Sequence, residues 1–237
     1  MTHNSRNLRR RERETWFIEA LESRVLLTAI TSGQTISASI SAHGESDAYS
    51  FNASAGDSIS AAMTVLNNAF DPEMDLYGPD GALLQSHYNS AYYGGTTIDL
   101  TNAPLTGTYS LVARDRGGDN TGSYGITMAH FGPGVSQSAD GDAGPIVSGL
   151  TRSAVINAGD LDVFTFSASA GDSISAAMTV LNNAFDPEMD LYGPDGALLQ
   201  GHYNSAYYGG TTIDLTNAPL TGTYSLVARD RGGDNTG

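Results

Sequence analysis

Three acidic residues, Asp71, Glu73 and Asp75, alternate with Pro72, Met74 and Leu76, and the same run recurs as Asp186, Glu188 and Asp190. If Met74 and Leu76 face a core, the carboxylates share the opposite face of an extended segment, about 7 Å between neighbours. Calcium takes about six to eight oxygens at roughly 2.3–2.6 Å. One strand cannot cage it, so loop acids such as Asp115 or Asp119 would have to converge on the ion. The expectation is a solvated acidic stripe with calcium as the candidate ligand; no cofactor is required. A second cluster, His87, Tyr88, Tyr92 and Tyr93, repeats as His202, Tyr203, Tyr207 and Tyr208. It is expected in the loop between a hairpin and the next strand. Exposed tyrosines offer flat amphipathic area suited to sugar rings or extended peptides; the alternative is a set of side chains covering the edge of the fold. Gly56-Asp57-Ser58-Ile59 is similar to the nucleophile block of one lipase and esterase family. That block needs a strand-to-helix setting and a distant Asp-x-x-His pair; here it enters a strand and no such pair follows. No Walker loop, zinc-ligand spacing or nucleophile elbow occurs, and without cysteine there is no thiolate chemistry or disulfide framework. The sequence does not read as an enzyme.

The elements that must position these residues follow a period of two. Tyr49 and Phe51 alternate with polar residues, as do Ile59, Ala61, Met63 and Val65; Ile98 and Leu100; Tyr109, Leu111 and Ala113; and Tyr124, Ile126 and Met128. Such alternation marks strands with one buried and one wet face. Pro79-Asp80-Gly81 is a turn signal, since Pro presets φ and Gly accepts a positive one. About eight strands are expected per complete copy. The expected class is all-β: two tandem antiparallel β-sandwiches, jelly-roll-like, behind a short helical or disordered N-terminal segment.

The tandem organisation is explicit. Ser54 to Gly122 reappears as Ser169 to Gly237 at an offset of 115, with one change, Ser86 to Gly201. Upstream, Asp47-Ala48-Tyr49-Ser50-Phe51 keeps its pattern as Asp162-Val163-Phe164-Thr165-Phe166. The expected division is an N-terminal segment over 1–30, a first module over 31–131, a Gly/Ser/Asp-rich linker over 132–147 and a second module over 148–237. The second copy lacks a counterpart of Ser123 to Met128. A buried Tyr, Ile or Met contributes roughly 1.5–3 kcal/mol, against a domain stability of about 5–15 kcal/mol. The expectation is therefore a piece of a longer protein, or a marginal second module.

The charge of −15 is uneven: six arginines against four acids up to Arg24, then five arginines against 22 acids. An acidic body of this kind repels nucleic acid and anionic membranes. Arg6 to Arg13 form a basic run, and Trp16 to Leu27 is expected as a helix with Phe17, Ala20 and Leu21 on one face. Glu19, Glu22 and Arg24 interrupt it, which excludes a transmembrane span and an ordinary signal-peptide core. The stretch Leu21-Glu22-Ser23-Arg24-Val25-Leu26-Leu27 resembles the Leu-Glu-Pro-Arg-x-Leu-Leu motif near the N-terminus of large bacterial surface proteins, with Ser in place of Pro. It implies export or sorting to the cell surface.

An ordered set of segments resembles the bacterial pre-peptidase C-terminal domain. It comprises Tyr49-Ser50-Phe51, Ala55-Gly56-Asp57-Ser58-Ile59, Asp71-Pro72-Glu73-Met74-Asp75-Leu76-Tyr77, Gly78-Pro79-Asp80-Gly81, Ala103 to Tyr109, and Gly122-Ser123-Tyr124. The resemblance implies a β-sandwich appended to exported proteins. Some members bind collagen or other insoluble polymers, some bind calcium, and some assist secretion. The family's calcium ligands lie partly in an acidic segment before the first strand, where Ala29 to Ser46 holds only Glu45. The leading expectation is a non-catalytic extracellular or cell-surface module that binds a polymer, protein or polysaccharide. The alternative is a spacer or secretion-assisting repeat whose partners are other domains of the same longer protein.

Overall fold

The computed structural model describes residues 27–66, 69–90, 94–138, 141–182, 185–205 and 209–237. The expected N-terminal helix and its export motif fall outside these residues, except Leu27, which opens a strand. All regular elements among the described residues are strands. In the first module they are β1 (Leu27–Ala29), β2 (Gln34–Ile40), β3 (Ser46–Ala53), β4 (Ser58–Val65), β5 (Pro72–Tyr77), β6 (Leu83–Tyr88), β7 (Gly95–Leu100), β8 (Gly107–Asp115) and β9 (Gly122–Phe131). Two sheets result, ordered β1-β3-β8-β5-β6 and β2-β9-β4-β7. In the second module β10 (Gly144–Pro145), β11 (Asp162–Ala168), β16 (Gly222–Asp230), β13 (Pro187–Tyr192) and β14 (Leu198–Tyr203) repeat the first sheet, and β12 (Ile174–Thr179) pairs with β15 (Gly210–Leu215).

The inward residues are those the alternation singled out. Tyr49, Phe51, Ile59, Ala61, Met63, Val65, Met74, Leu76, Ile98, Tyr109, Leu111, Ala113, Tyr124, Ile126 and Met128 form one buried cluster between the sheets. Its buried hydroxyls are satisfied, as they must be. Tyr124 donates to Asp47 at 2.6 Å and lies 2.7 Å from the Tyr49 hydroxyl. Tyr109 donates to the Leu105 carbonyl at 2.6 Å, and Tyr224 repeats this bond to Leu220. The expected turn closes between β5 and β6: Gly81 has φ +78°, and its N–H donates to the Gly78 carbonyl at 2.9 Å.

Two features differ from the sequence expectation. The first module has nine strands, the extra one being β1, which runs parallel to β3, as β10 does to β11. And the glycine-rich connection is partly anchored: Ser138 donates its N–H to the Ser32 carbonyl at 2.6 Å, and Gly144–Pro145 form β10. Glycine, serine and aspartate marked this stretch as a linker, and its backbone finds partners on both modules.

The modules meet through outer sheet faces. Ala62, Ala129 and Phe131 of the four-stranded sheet form a buried cluster with Leu161, Val163, Tyr192 and Val227 of the second module. Phe131 and Tyr192 stack with centroids 4.0 Å apart. Backbones touch where side chains are absent: a Cβ on Gly125 would strike the Ala158 carbonyl, and one on Gly95 the Gly233 carbonyl. The effect shows in two identical segments. Ser60, Ala62 and Thr64 of β4 are buried, whereas their copies Ser175, Ala177 and Thr179 of β12 are exposed.

At this junction lies Arg229, 3% exposed. Its guanidinium reaches Asp99 of the first module at 2.9 Å, and Glu188 and Asp190 of its own at 3.1 and 3.0 Å. It also donates to Ser60 Oγ at 3.1 Å. Burial works against its charge, but the three carboxylates outweigh burial and hold its pKa above the ordinary arginine value. Its copy Arg114 pairs with Glu73 and Asp75 at 3.1 and 2.7 Å, with 38% of its side chain exposed.

This contrast is an internal control. Arg229→Ala leaves carboxylates stranded inside the junction and is expected to cost about 3–5 kcal/mol. Arg114→Ala, at a site half open to water, is expected to cost less than Arg229→Ala, although Asp75 beneath it is buried. Urea unfolding of the two variants measures both, and equal losses would contradict the assignment. The junction also titrates. Burial pushes the Asp190 carboxyl up to about 6, although Arg229 pulls it down. Its unfolded value is about 3.9, so the native state binds the extra proton. The associated stability is full below the unfolded value and is lost as pH rises through about 6. Burial raises Asp230 to about 6 as well, adding the same sign. Burial lowers the His130 pKa, which acts with the opposite sign, so the Asp190 contribution is read by difference: on going from about pH 5 to about pH 7.5, thermal melts should show a smaller loss, or a larger gain, of stability in Asp190→Asn than in the parent.

Candidate functional site

The carboxylate stripe is not a row of solvated acids. Asp71 precedes β5, Glu73 is partly exposed and Asp75 is 1% exposed beneath Arg114. Asp190 is likewise buried, with Glu188, around Arg229, and Asp186 precedes β13. The alternation did put these acids opposite Met74 and Leu76. What it omitted was the arginine on β8, where Glu73 is the register partner of Arg114. The guanidinium there supplies the positive charge that a cation would otherwise bring. Asp115 does not join the stripe. It accepts the N–H groups of Asp71, Asp119 and Asn120 at 3.1, 2.8 and 3.1 Å, and so orders the loop after β8. Among the described residues no three acids or histidines are grouped for a metal ion.

Asp57 and Ser58, from the block similar to an esterase's, are buried. Asp57 Oδ2 accepts the Ser54 N–H at 2.9 Å, and the Asp57 carbonyl accepts that of Ala103 at 2.7 Å. These are turn and strand-entry contacts.

The aromatic cluster is not wholly in a loop: His87 and Tyr88 end β6, and His202 and Tyr203 end β14. Tyr92, Tyr93, Tyr207 and Tyr208 lie outside the described residues. Because successive strand residues face opposite ways, β6 divides its work. Gln85, His87 and Asn89 donate to the Asp99, Thr97 and Gly95 carbonyls of β7 at 2.7, 2.7 and 3.1 Å. This side-chain ladder closes the open edge between the two sheets. It also makes Nδ1 the protonated nitrogen of His87. The histidine is thus engaged with β7, and it also borders the groove that Tyr88 lines.

Tyr88 is different. It is 52% exposed, and the Arg116 guanidinium sits 3.5 Å from its ring centroid. Tyr203 is 54% exposed, with Arg231 at 3.7 Å. Each tyrosine lines an open groove. The first, of about 400 Å³, runs along Ser86 to Asn89 and Gly95 to Thr97; the second, of about 390 Å³, along Gly201 to Asn204 and Gly210 to Thr212. The sequence reading missed both arginines. Arg114 and Arg116 are two residues apart on one face, and that spacing was the available signal.

No curated protein matches this chain. Among solved structures, the pre-peptidase C-terminal domain of a collagenase from Bacillus anthracis is 14% identical, with a TM-score of 0.35 over 43% of this chain and 93% of that one. A protein from Parabacteroides distasonis described as secreted is 8% identical, with a TM-score of 0.23 over 85% of this chain and 86% of that one. Residues 45–115 match the family model of the bacterial pre-peptidase C-terminal domain, and 54–115 of that stretch recur at 169–230 with the single Ser86/Gly201 change.

Proposed function

We propose that this tandem pair is a non-catalytic binding module of an exported or cell-surface protein, holding an extracellular polymer along the two grooves. The family matched by residues 45–115 supports the non-catalytic, exported setting. The observation that carries the binding reading is the twice-repeated exposed tyrosine under a guanidinium, Tyr88 with Arg116 and Tyr203 with Arg231. A ring held flat by a cation presents contact area at small cost in conformational entropy. Two such sites on one chain raise effective affinity when one polymer spans both. Calcium has no part in this proposal, since Arg114 and Arg229 occupy the carboxylate clusters.

A spacer in a longer surface protein is the second reading. The observation favouring it is the junction of apolar side chains and the Arg229 ion cluster, which fixes one module against the other.

The test is retention of the intact chain on insoluble collagen, chitin, cellulose and cell-wall polysaccharide. Retention on one of them is expected, and Tyr88→Ser with Tyr203→Ser should weaken it by roughly 10- to 100-fold, the loss typical of two aromatic anchors. A chain retained on none of these, or retained equally without its tyrosines, leaves the spacer reading.

A further inference from the structure

Four of the five arginines beyond Arg24 lie in two sequence-identical pairs. Arg114 and Arg229 are consumed by ion pairs. Arg116 and Arg231 are both exposed, and among the described residues neither has a carboxylate within ion-pair distance. Each instead lies on an exposed groove tyrosine.

Arg231 does more than its copy. It belongs to the second module, yet with Gly232 it lines the groove of the first, opposite His87 and Tyr88. Its guanidinium also covers Tyr203, which lines the second groove. The two grooves therefore meet at one cation. The junction brings it there: Gly233 abuts Gly95, where a Cβ would meet the Gly233 carbonyl, and Thr64 Oγ1 donates to that carbonyl. Among the described residues no carboxylate lines either groove, and Glu73, behind the lining Ser86, is paired with Arg114; the other lining groups are Ser, Thr, Asn, His, Tyr and Gly.

From these contacts we infer that the grooves form one track for a carboxylate-bearing polysaccharide, an acid group of which is received by Arg231, with Arg116 set back behind the Tyr88 ring. This rests on the polymer-binding reading and names the ligand class. Hydroxyl and amide linings suit sugar hydroxyls, the tyrosine rings suit the C–H faces of pyranoses, and an unpaired guanidinium suits a carboxylate. The acidic body disfavours a densely charged polyanion, so uronic acids alternating with neutral sugars fit better than an unbroken run.

Affinity electrophoresis of the intact chain in gels containing hyaluronan, polygalacturonate or neutral hydroxyethylcellulose tests it. Hyaluronan should retard the chain most. Arg231→Gln should weaken that retardation roughly tenfold, the loss expected for one charged contact, and Arg116→Gln by less. Arg152→Gln, away from both grooves, should change nothing, and thermal melting confirms that each variant is folded. Equal retardation by the neutral polymer, or full retardation of Arg231→Gln, overturns the inference and leaves polymer binding intact. Loss of retention on every polymer, the insoluble panel included, overturns both.

Discussion

The structure turns on a single buried guanidinium. Arg229 does not shed its proton at any ordinary pH, so burying it requires carboxylates beside it, of which Glu188 and Asp190 are largely buried and Asp99 stays partly in water. Two come from β13 of its own module, and the third, Asp99, from β7 of the other. Asp99 is itself held by Ser60, which donates to it at 2.8 Å. The second module can therefore dock in one register only, the one that brings Asp99 opposite Arg229. Phe131 stacked on Tyr192 and the close backbone approaches at Gly95 and Gly125 are compatible with that register. Apolar burial supplies attraction without direction; the ion cluster supplies direction.

The same arginine explains why two nearly identical sequences do not have identical environments. Arg114 and Arg229 sit in the same local sequence, on the same strand, beside the same two acids. Only the second meets a neighbouring sheet. What decides this is the upstream stretch where the copies diverge. Leu161 and Val163, both buried at the junction, replace Ser46 and Ala48 of the first module, and Ala158 replaces His43. The first module keeps a face suited to water; the second has had it converted into a face suited to protein. The near-identity of Ser54 to Gly122 with Ser169 to Gly237 drew the eye to the repeat, yet the junction also needs Ala129, Phe131, Leu161 and Val163, which lie outside it.

This bears on how much the sequence made legible. Strand positions and core followed from alternation, because a two-residue period has one physical meaning once one face is buried. Tyr49, Met63 and Ile126 were assigned to the interior and are there. Alternation is silent on whether the outward face meets water or another sheet, so Ser60 and Ala62 of β4 could not be told from Ser175 and Ala177 of β12. The candidate sites were half legible for a related reason. The acids and tyrosines were visible as clusters along the chain, but their arginine partners lie about forty residues on for the acids and about 28 for the tyrosines, at the ends of β8 and β16 and just beyond them. Tyr88 and His87 were grouped by proximity, while a strand sends adjacent residues to opposite sides, one to the stacked pair and one to the β7 carbonyls.

Net charge was the least informative guide to the site and the most informative about what the site must overcome. A charge of −15 keeps the chain soluble and repels anions at a distance, but the potential inside a groove is set by the charges within a few ångströms, since solution salt screens the rest beyond about 10 Å. There, among the described residues, Arg231 is the charged lining group, while Glu73 behind Ser86 is held by Arg114 and Asp234 adjoins Gly232. An acidic protein can therefore hold a locally cationic track, provided that its few arginines are kept from its many acids. The fold achieves this by giving Arg114 and Arg229 to the carboxylates of β5 and β13, and by turning Arg116 and Arg231 onto aromatic rings, where a guanidinium finds partial compensation without being neutralised.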